Sequence, residues 1–213
     1  MKLSKYIDHT LLKADARKAD IEKLCKEAIE NDFMSVCVNP AYIKDCKELL
    51  KGSDVLVCTV IGFPLGMMTT EAKVFETKNA IEIGVDEVDM VINIGRLKDH
   101  DLHYVTNEIH QIKEACGDRT LKVIIETCLL SDEEKVDACK CIMEAGADFV
   151  KTSTGFSKAG ATFEDIELFK RTVGDKCLIK AAGGIKTHDD MLKMIALGAN
   201  RIGTSSGVRL IQE

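Results

Sequence analysis

Eight short apolar runs rich in β-branched residues recur along the chain, and their even spacing restricts the fold more than any single motif does. They span Tyr6 to Thr10, Met34 to Asn39, Val55 to Phe63, Glu87 to Asn93, Leu121 to Thr127, Asp148 to Thr154, Cys177 to Ala182 and Arg201 to Ser205. Each has the length and composition of a strand buried on both faces. Helical patterns lie between them. Ile21, Leu24, Cys25, Ala28 and Ile29 recur at i, i+3, i+4, i+7 and i+8, and Leu102, Val105, Ile109 and Ile112 follow a like spacing. Strands joined through helix-length crossovers pair in parallel, with helices covering the sheet. Eight such units predict a closed (β/α)8 TIM barrel, a single domain over residues 1–213 with little room for insertions. An open doubly wound sheet is the alternative, but no G-x-G-x-x-G follows the first run to support it.

The punctuation agrees with this reading. Ser131-Asp132-Glu133-Glu134 has the form of a capping box, and Thr162 and Thr187 each precede an acid by three residues, as N-caps do. Gly84, Gly146 and Gly198 each close a helical run a few residues before the next strand, where a left-handed residue ends a helix. The phrases Ile83-Gly84-Val85-Asp86, Ala145-Gly146-Ala147-Asp148 and Leu197-Gly198-Ala199-Asn200 are therefore one turn used three times.

A net charge of -6 argues against a phosphate-backbone partner, so no nucleic acid is expected. Nine cysteines without a paired CxxC framework fit free thiols in a reducing cytosol. The first residues form no apolar leader and no stretch reaches the length of a membrane span, so the expectation is a soluble, cytoplasmic protein with no membrane partner.

Two of the runs end in the same way. Asp148-Phe149-Val150-Lys151-Thr152-Ser153-Thr154-Gly155 carries a lysine from an apolar strand to a glycine turn, and Cys177-Leu178-Ile179-Lys180-Ala181-Ala182-Gly183-Gly184 repeats the arrangement one unit later. An ammonium there is costly to desolvate. On adjacent strands of a parallel barrel the two amines would lie close at the face where active sites form, each disfavouring the other's charge, and a neutral amine attacks carbonyls. The bland alternative is a surface lysine at a strand end, which the repetition makes less attractive. Asp89 stands in the apolar run Glu87-Val88-Asp89-Met90-Val91. If Val88 and Met90 face the helices, alternation turns Asp89 inward toward the lysines, as a proton carrier or as a structural turn former. Gly203-Thr204-Ser205-Ser206-Gly207 and Gly183-Gly184 have the composition of an anion cradle after the last two strands. His100, His103 and His110 read as a solvated helix face, so no metal is expected; Cys37 reads as a small buried hydrophobe, and Glu126 could line the pocket or pair with a lysine.

Taken together, Ile7-Asp8-His9-Thr10-Leu11-Leu12, Gly62-Phe63-Pro64-Leu65-Gly66, Glu87-Val88-Asp89-Met90-Val91, Lys151-Thr152-Ser153-Thr154-Gly155-Phe156, Lys180-Ala181-Ala182-Gly183-Gly184 and Gly203-Thr204-Ser205-Ser206 resemble the deoxyribose-phosphate aldolases, class I Schiff-base enzymes on a (β/α)8 fold. The resemblance implies reversible cleavage of 2-deoxy-D-ribose 5-phosphate to acetaldehyde and D-glyceraldehyde 3-phosphate, with no cofactor. It implies that Lys151 forms the Schiff base, Lys180 tunes it and moves protons, and Asp89 shuttles protons with a water. Asp8 and Thr10 would make polar contacts around the lysine and a substrate hydroxyl, while Gly155, Gly183, Gly184, Ser205 and Ser206 would hold the phosphate. A homodimer also fits. Some members carry a C-terminal tail ending in tyrosine that assists proton transfer, whereas this chain reads Leu210-Ile211-Gln212-Glu213. Rival readings are a Schiff-base aldolase for another phosphorylated sugar, and a phosphosugar-binding regulator on the same scaffold.

Overall fold

The computed structural model describes residues 2–212; Met1 and Glu213, the two ends of the expected domain, lie outside the described residues. Eight parallel strands close in sequence order into one barrel, β8 pairing back onto β1. They are β1 Ile7–Leu11, β2 Ser35–Val38, β3 Leu56–Ile61, β4 Glu87–Val91, β5 Thr120–Ile124, β6 Phe149–Lys151, β7 Leu178–Ala182 and β8 Arg201–Thr204. Helices α1 Lys18–Glu30, α2 Ile43–Leu49, α3 Thr70–Ile83, α4 Ile94–Lys98, α5 Leu102–Cys116, α6 Asp132–Glu144, α7 Phe163–Val173, α8 His188–Ala196 and α9 Gly207–Gln212 follow the strands and cover the barrel.

All eight expected strands form, most of them shorter than their apolar runs. Pairing stops where the chain turns into the loops of the C-terminal face, so Thr152, Ser153 and Thr154 leave the ladder although the Thr152 N–H still donates to the Lys180 carbonyl at 3.1 Å. The helix signals hold as well: Ser131, Thr162 and Thr187 each close a capping box, and Gly84, Gly146 and Gly198 take positive φ at their helix ends. Ile29 departs from its expected place. It is 43% exposed while Ile21, Leu24, Cys25 and Ala28 are buried, because at 100° per residue it lies roughly 90° from the centre of their stripe.

The core is the layer between sheet and helices. Val88, Met90, Ile179 and Ala181 join it from the strands, and Ile109, Ile142, Ile166 and Met191 from the helices. Alternation along each strand then aims their neighbours at the barrel axis. One ion pair is embedded in the outer layer: Lys73 of α3 reaches Glu108 of α5 at 2.8 Å, both side chains fully buried.

Candidate active site

The register of β6 on β7 sets Lys151 directly beside Lys180. Val150 on one strand and Ile179 and Ala181 on the other occupy the outward positions, so both lysines turn inward, as the repeated motif predicts. Val88 and Met90 likewise face the helices and place Asp89 inside. Its Oδ2 accepts from Lys151 Nζ at 2.7 Å and from Lys180 Nζ at 2.7 Å. Asp8 meets Lys180 at 2.5 Å. Asp8 therefore approaches Lys151 only through Lys180.

Three further charged groups, which the sequence reading passed over, extend this cluster toward the base of the barrel. Lys122 of β5 bridges Asp89 Oδ1 at 3.0 Å and Glu87 at 2.7 Å. Arg201 of β8 donates to Glu87 at 2.6 Å and, through Nε, to Asp8 at 2.6 Å. The Ser35 hydroxyl completes the cage by donating to Asp8 at 2.8 Å. A signal for Lys122 existed, since Leu121-Lys122-Val123-Ile124-Ile125 is a third lysine on an apolar strand; Glu87 and Arg201 stand at strand starts, where a charge is ordinary.

The charges hold one another in place. Burial opposes the ionised form of Asp89, but Lys122, Lys151 and Lys180 outweigh it and keep the carboxyl well below its ordinary range. Asp8 is lowered in the same way, against burial, by Arg201 and Lys180. Lys180 is raised above the usual lysine value because Asp8 and Asp89 overcome the cost of burial, and Lys122 is raised with Asp89 the foremost of its charged partners. The expected mutual lowering of the two amines therefore does not hold for Lys180, whose two carboxylate partners outweigh it.

A cavity of about 460 Å³ opens above the cluster at the C-terminal face. Lys151, Thr10, Gly155, Gly183, Gly184, Ser205 and Ser206 all line it, whereas Asp8, Asp89 and Lys180 lie beneath it. Gly183 and Gly184 adopt φ of 76° and 77°, conformations that suit glycine and not β-branched residues. Gly160, which the sequence reading passed over, packs on this turn so closely that a Cβ there would sit 2.2 Å from the Gly183 carbonyl carbon. The Ser206 N–H is taken by Thr204 Oγ1 at 3.0 Å, which leaves Ser206 its hydroxyl to offer. Lys186 and Arg209 add positive charge to the lining.

Glu126 pairs with no lysine. In a left-handed conformation at the end of β5, it accepts from the Thr154 hydroxyl and backbone N–H and so pins the loop that carries Gly155. Cys37 is fully buried beside Cys58, and the Cys58 thiol donates to Asp89 at 3.1 Å. These two sulfurs and Asp89 bring their donor atoms within 4.8 Å of one another, yet the carboxylate is already bonded to three lysine side chains, of which the Lys122 and Lys180 ammonium groups would repel a cation. His110 pairs with Glu114 along its own helix at 3.6 Å, as a solvated face does.

Comparison with known proteins supports what the geometry suggests. The DeoC/LacD family aldolases match residues 2–212. The deoxyribose-phosphate aldolase of Malacoplasma penetrans is 61% identical over 99% of this chain and 95% of its own length. That of Finegoldia magna is 58% identical over the whole of both chains. The tetrameric deoxyribose phosphate aldolase structure from Aeropyrum pernix superposes with a TM-score of 0.89 at 31% identity, covering 99% of this chain and 89% of its own. A full-length family match, relatives of this identity and an inward lysine pair on a common aspartate all lead to one assignment: the chain belongs to the DeoC/LacD family of aldolases.

Proposed function

We propose that the protein catalyses reversible cleavage of 2-deoxy-D-ribose 5-phosphate to acetaldehyde and D-glyceraldehyde 3-phosphate through a Schiff base on Lys151. The observation that carries this reading is the position of Lys151, at the floor of the cavity and 2.7 Å from an aspartate that Lys180 shares. The Lys151 amine attacks C1 of the open-chain sugar to give a carbinolamine, which loses water to an iminium. The C3 hydroxyl then gives up its proton and the C2–C3 bond breaks. Its electron pair moves into the iminium, leaving an enamine and releasing glyceraldehyde 3-phosphate. Protonation at C2 and hydrolysis free acetaldehyde and the amine. Covalent catalysis of this kind replaces a free carbanion with two lower barriers.

Asp89 lies within hydrogen-bond reach of Lys151 and Lys180 bonds the same carboxylate oxygen, which suits the two to carry the protons. On this reading Thr10, which lines the cavity, meets a substrate hydroxyl. Gly155, Gly183, Gly184, Ser205 and Ser206, with Lys186 and Arg209 on the same lining, form the phosphate end of the cavity. On this reading the protein works in the cytoplasm as a homodimer; nine free thiols favour a reducing compartment, and sedimentation velocity tests the assembly. Among the described residues no helix is long and apolar enough to cross a membrane.

Borohydride trapping with acetaldehyde, followed by peptide mapping, tests the chemistry. The added mass is expected on Lys151; mass on Lys180 alone would exchange the two roles, and mass on neither would remove the Schiff base. Ser206→Asp tests the phosphate end. It should weaken deoxyribose 5-phosphate far more than unphosphorylated deoxyribose, and equal losses would count against a phosphate site there.

A further inference from the structure

The seven ionisable groups joined by ion pairs inside the barrel do not balance. Four are cations, Lys122, Lys151, Lys180 and Arg201, and three are carboxylates, Asp8, Glu87 and Asp89. None is more than 5% exposed. With every group ionised, this dry compartment would carry one surplus positive charge, which a low-dielectric interior tolerates poorly. The surplus disappears if one amine gives up its proton.

The contacts show which amine is held by the fewest carboxylates. Arg201 does not release a proton in proteins. Lys122 touches Glu87 and Asp89, and Lys180 touches Asp8 and Asp89, so each is held by two carboxylates. Lys151 touches Asp89 alone, and it is the one cation of the network that lines the cavity. Two thiols and one further carboxylate also face this cluster. The Cys37 and Cys58 thiols look in from β2 and β3; the hydrogen bond between them lowers Cys37, whereas burial and that same bond hold Cys58 protonated, and neither is ion-paired to the network. Glu126 is bound to Thr154 rather than to a cation.

We propose that Arg201 and Glu87 are positioning residues that act through charge in opposite directions: at the base of the barrel, away from the cavity, Arg201 favours and Glu87 opposes departure of a proton from the Lys151 amine. Neither lines the cavity. They act through Asp8 and Lys122, each of which is bonded to one of them and to the groups around Lys151. The inference rests on the Schiff-base reading above.

A charge cycle tests it, read as the pH dependence of borohydride trapping at Lys151. Glu87→Gln removes a negative charge, so the proton on Lys151 leaves more easily and the acid limb should move to lower pH, on the order of one unit. Arg201→Gln removes a positive charge and should move the limb to higher pH by a similar amount. The double variant restores the count and should return the limb to its wild-type position. Shifts of the same sign in both single variants, or no shift in either, would overturn the proposal, because a purely structural pair would lower the rate without a charge-signed displacement. Should either single variant fail to fold, Lys122→Gln withdraws a cation from the same network and must raise the limb; an unmoved or lowered limb there overturns it equally. Failure of the wild type to label Lys151 would instead count against the Schiff base, a result distinct from labelling with an unmoved limb.

Discussion

The network inside the barrel and the Lys73–Glu108 pair outside it are equally dry, yet burial acts on them with opposite outcomes. Inside, Asp89 is lowered and Lys122 and Lys180 are raised, so their charges are favoured. Outside, burial prevails: Glu108 is raised and Lys73 is lowered despite their 2.8 Å contact. The difference lies in the number of opposite charges each group meets. Asp89 bonds three lysine side chains, whereas Glu108 has Lys73 and the Asn93 N–H, and Lys73 has Glu108 and the Val91 carbonyl in contact, with Glu76 acting on it only weakly. A single partner does not repay desolvation, and a cage of several does.

The comparison can be broken most sharply at Asp89. Asp89→Asn leaves Lys122, Lys151 and Lys180 around a neutral amide and removes a proton carrier, so turnover should fall by about 10²–10⁴ with a lower thermal midpoint. Full activity measured on the folded variant would show that Asp89 only fills space. The outer pair should behave differently. Lys73→Met strands a buried carboxylate and should cost about 3–5 kcal/mol in chemical denaturation, while turnover of the folded fraction stays near that of wild type. Lys73→Met with Glu108→Gln should recover much of that loss, since the amide still accepts the Asn93 N–H and no charge is stranded.

Acid titration sharpens the contrast further. A carboxylate lowered by folding contributes stability that is complete above its unfolded value and is lost as pH falls through its folded one. The stability gap between wild type and Asp89→Asn should therefore be full above pH 3.8 and close progressively below it. Glu108 has the opposite sign, its folded value lying above 4.5, so its protonated form is the one folding favours. The smallest effect is expected where water does the work. Lys140 and Asp137 pair at 2.9 Å with side chains 60% and 24% exposed, and Lys140→Met should change stability by about 1 kcal/mol or less.

How much of this was legible in the sequence follows the same physics. The barrel was readable because alternation and capping are local: Val150 and Ile179 flank their lysines in the chain, and Ser131 caps its own helix. Lys151, Lys180 and Asp89 were readable because a charge inside an apolar run needs an explanation. Glu87 and Arg201 offer no such contrast, since both stand at the first residue of their strands, where solvated charges are common; only closure of the barrel reveals them as buried. Glu126 was readable as a carboxylate near the pocket, but its partner is a threonine 28 positions away. Gly160 looks like an ordinary loop glycine until its contact with Gly183 is seen.

The bond from Arg201 to Asp8 joins positions separated by 193 residues. Contacts that span nearly the whole chain form late, after most loop-closure entropy has been spent. During synthesis β8 is the last of these strands to emerge, so until then Lys151 and Lys180 lack the arginine that completes their cage. If the cage is what makes the amine reactive, a growing chain carries its lysines as ordinary solvated ammonium groups. An aldehyde-seeking nucleophile is then exposed to the metabolite pool only once a finished barrel surrounds it.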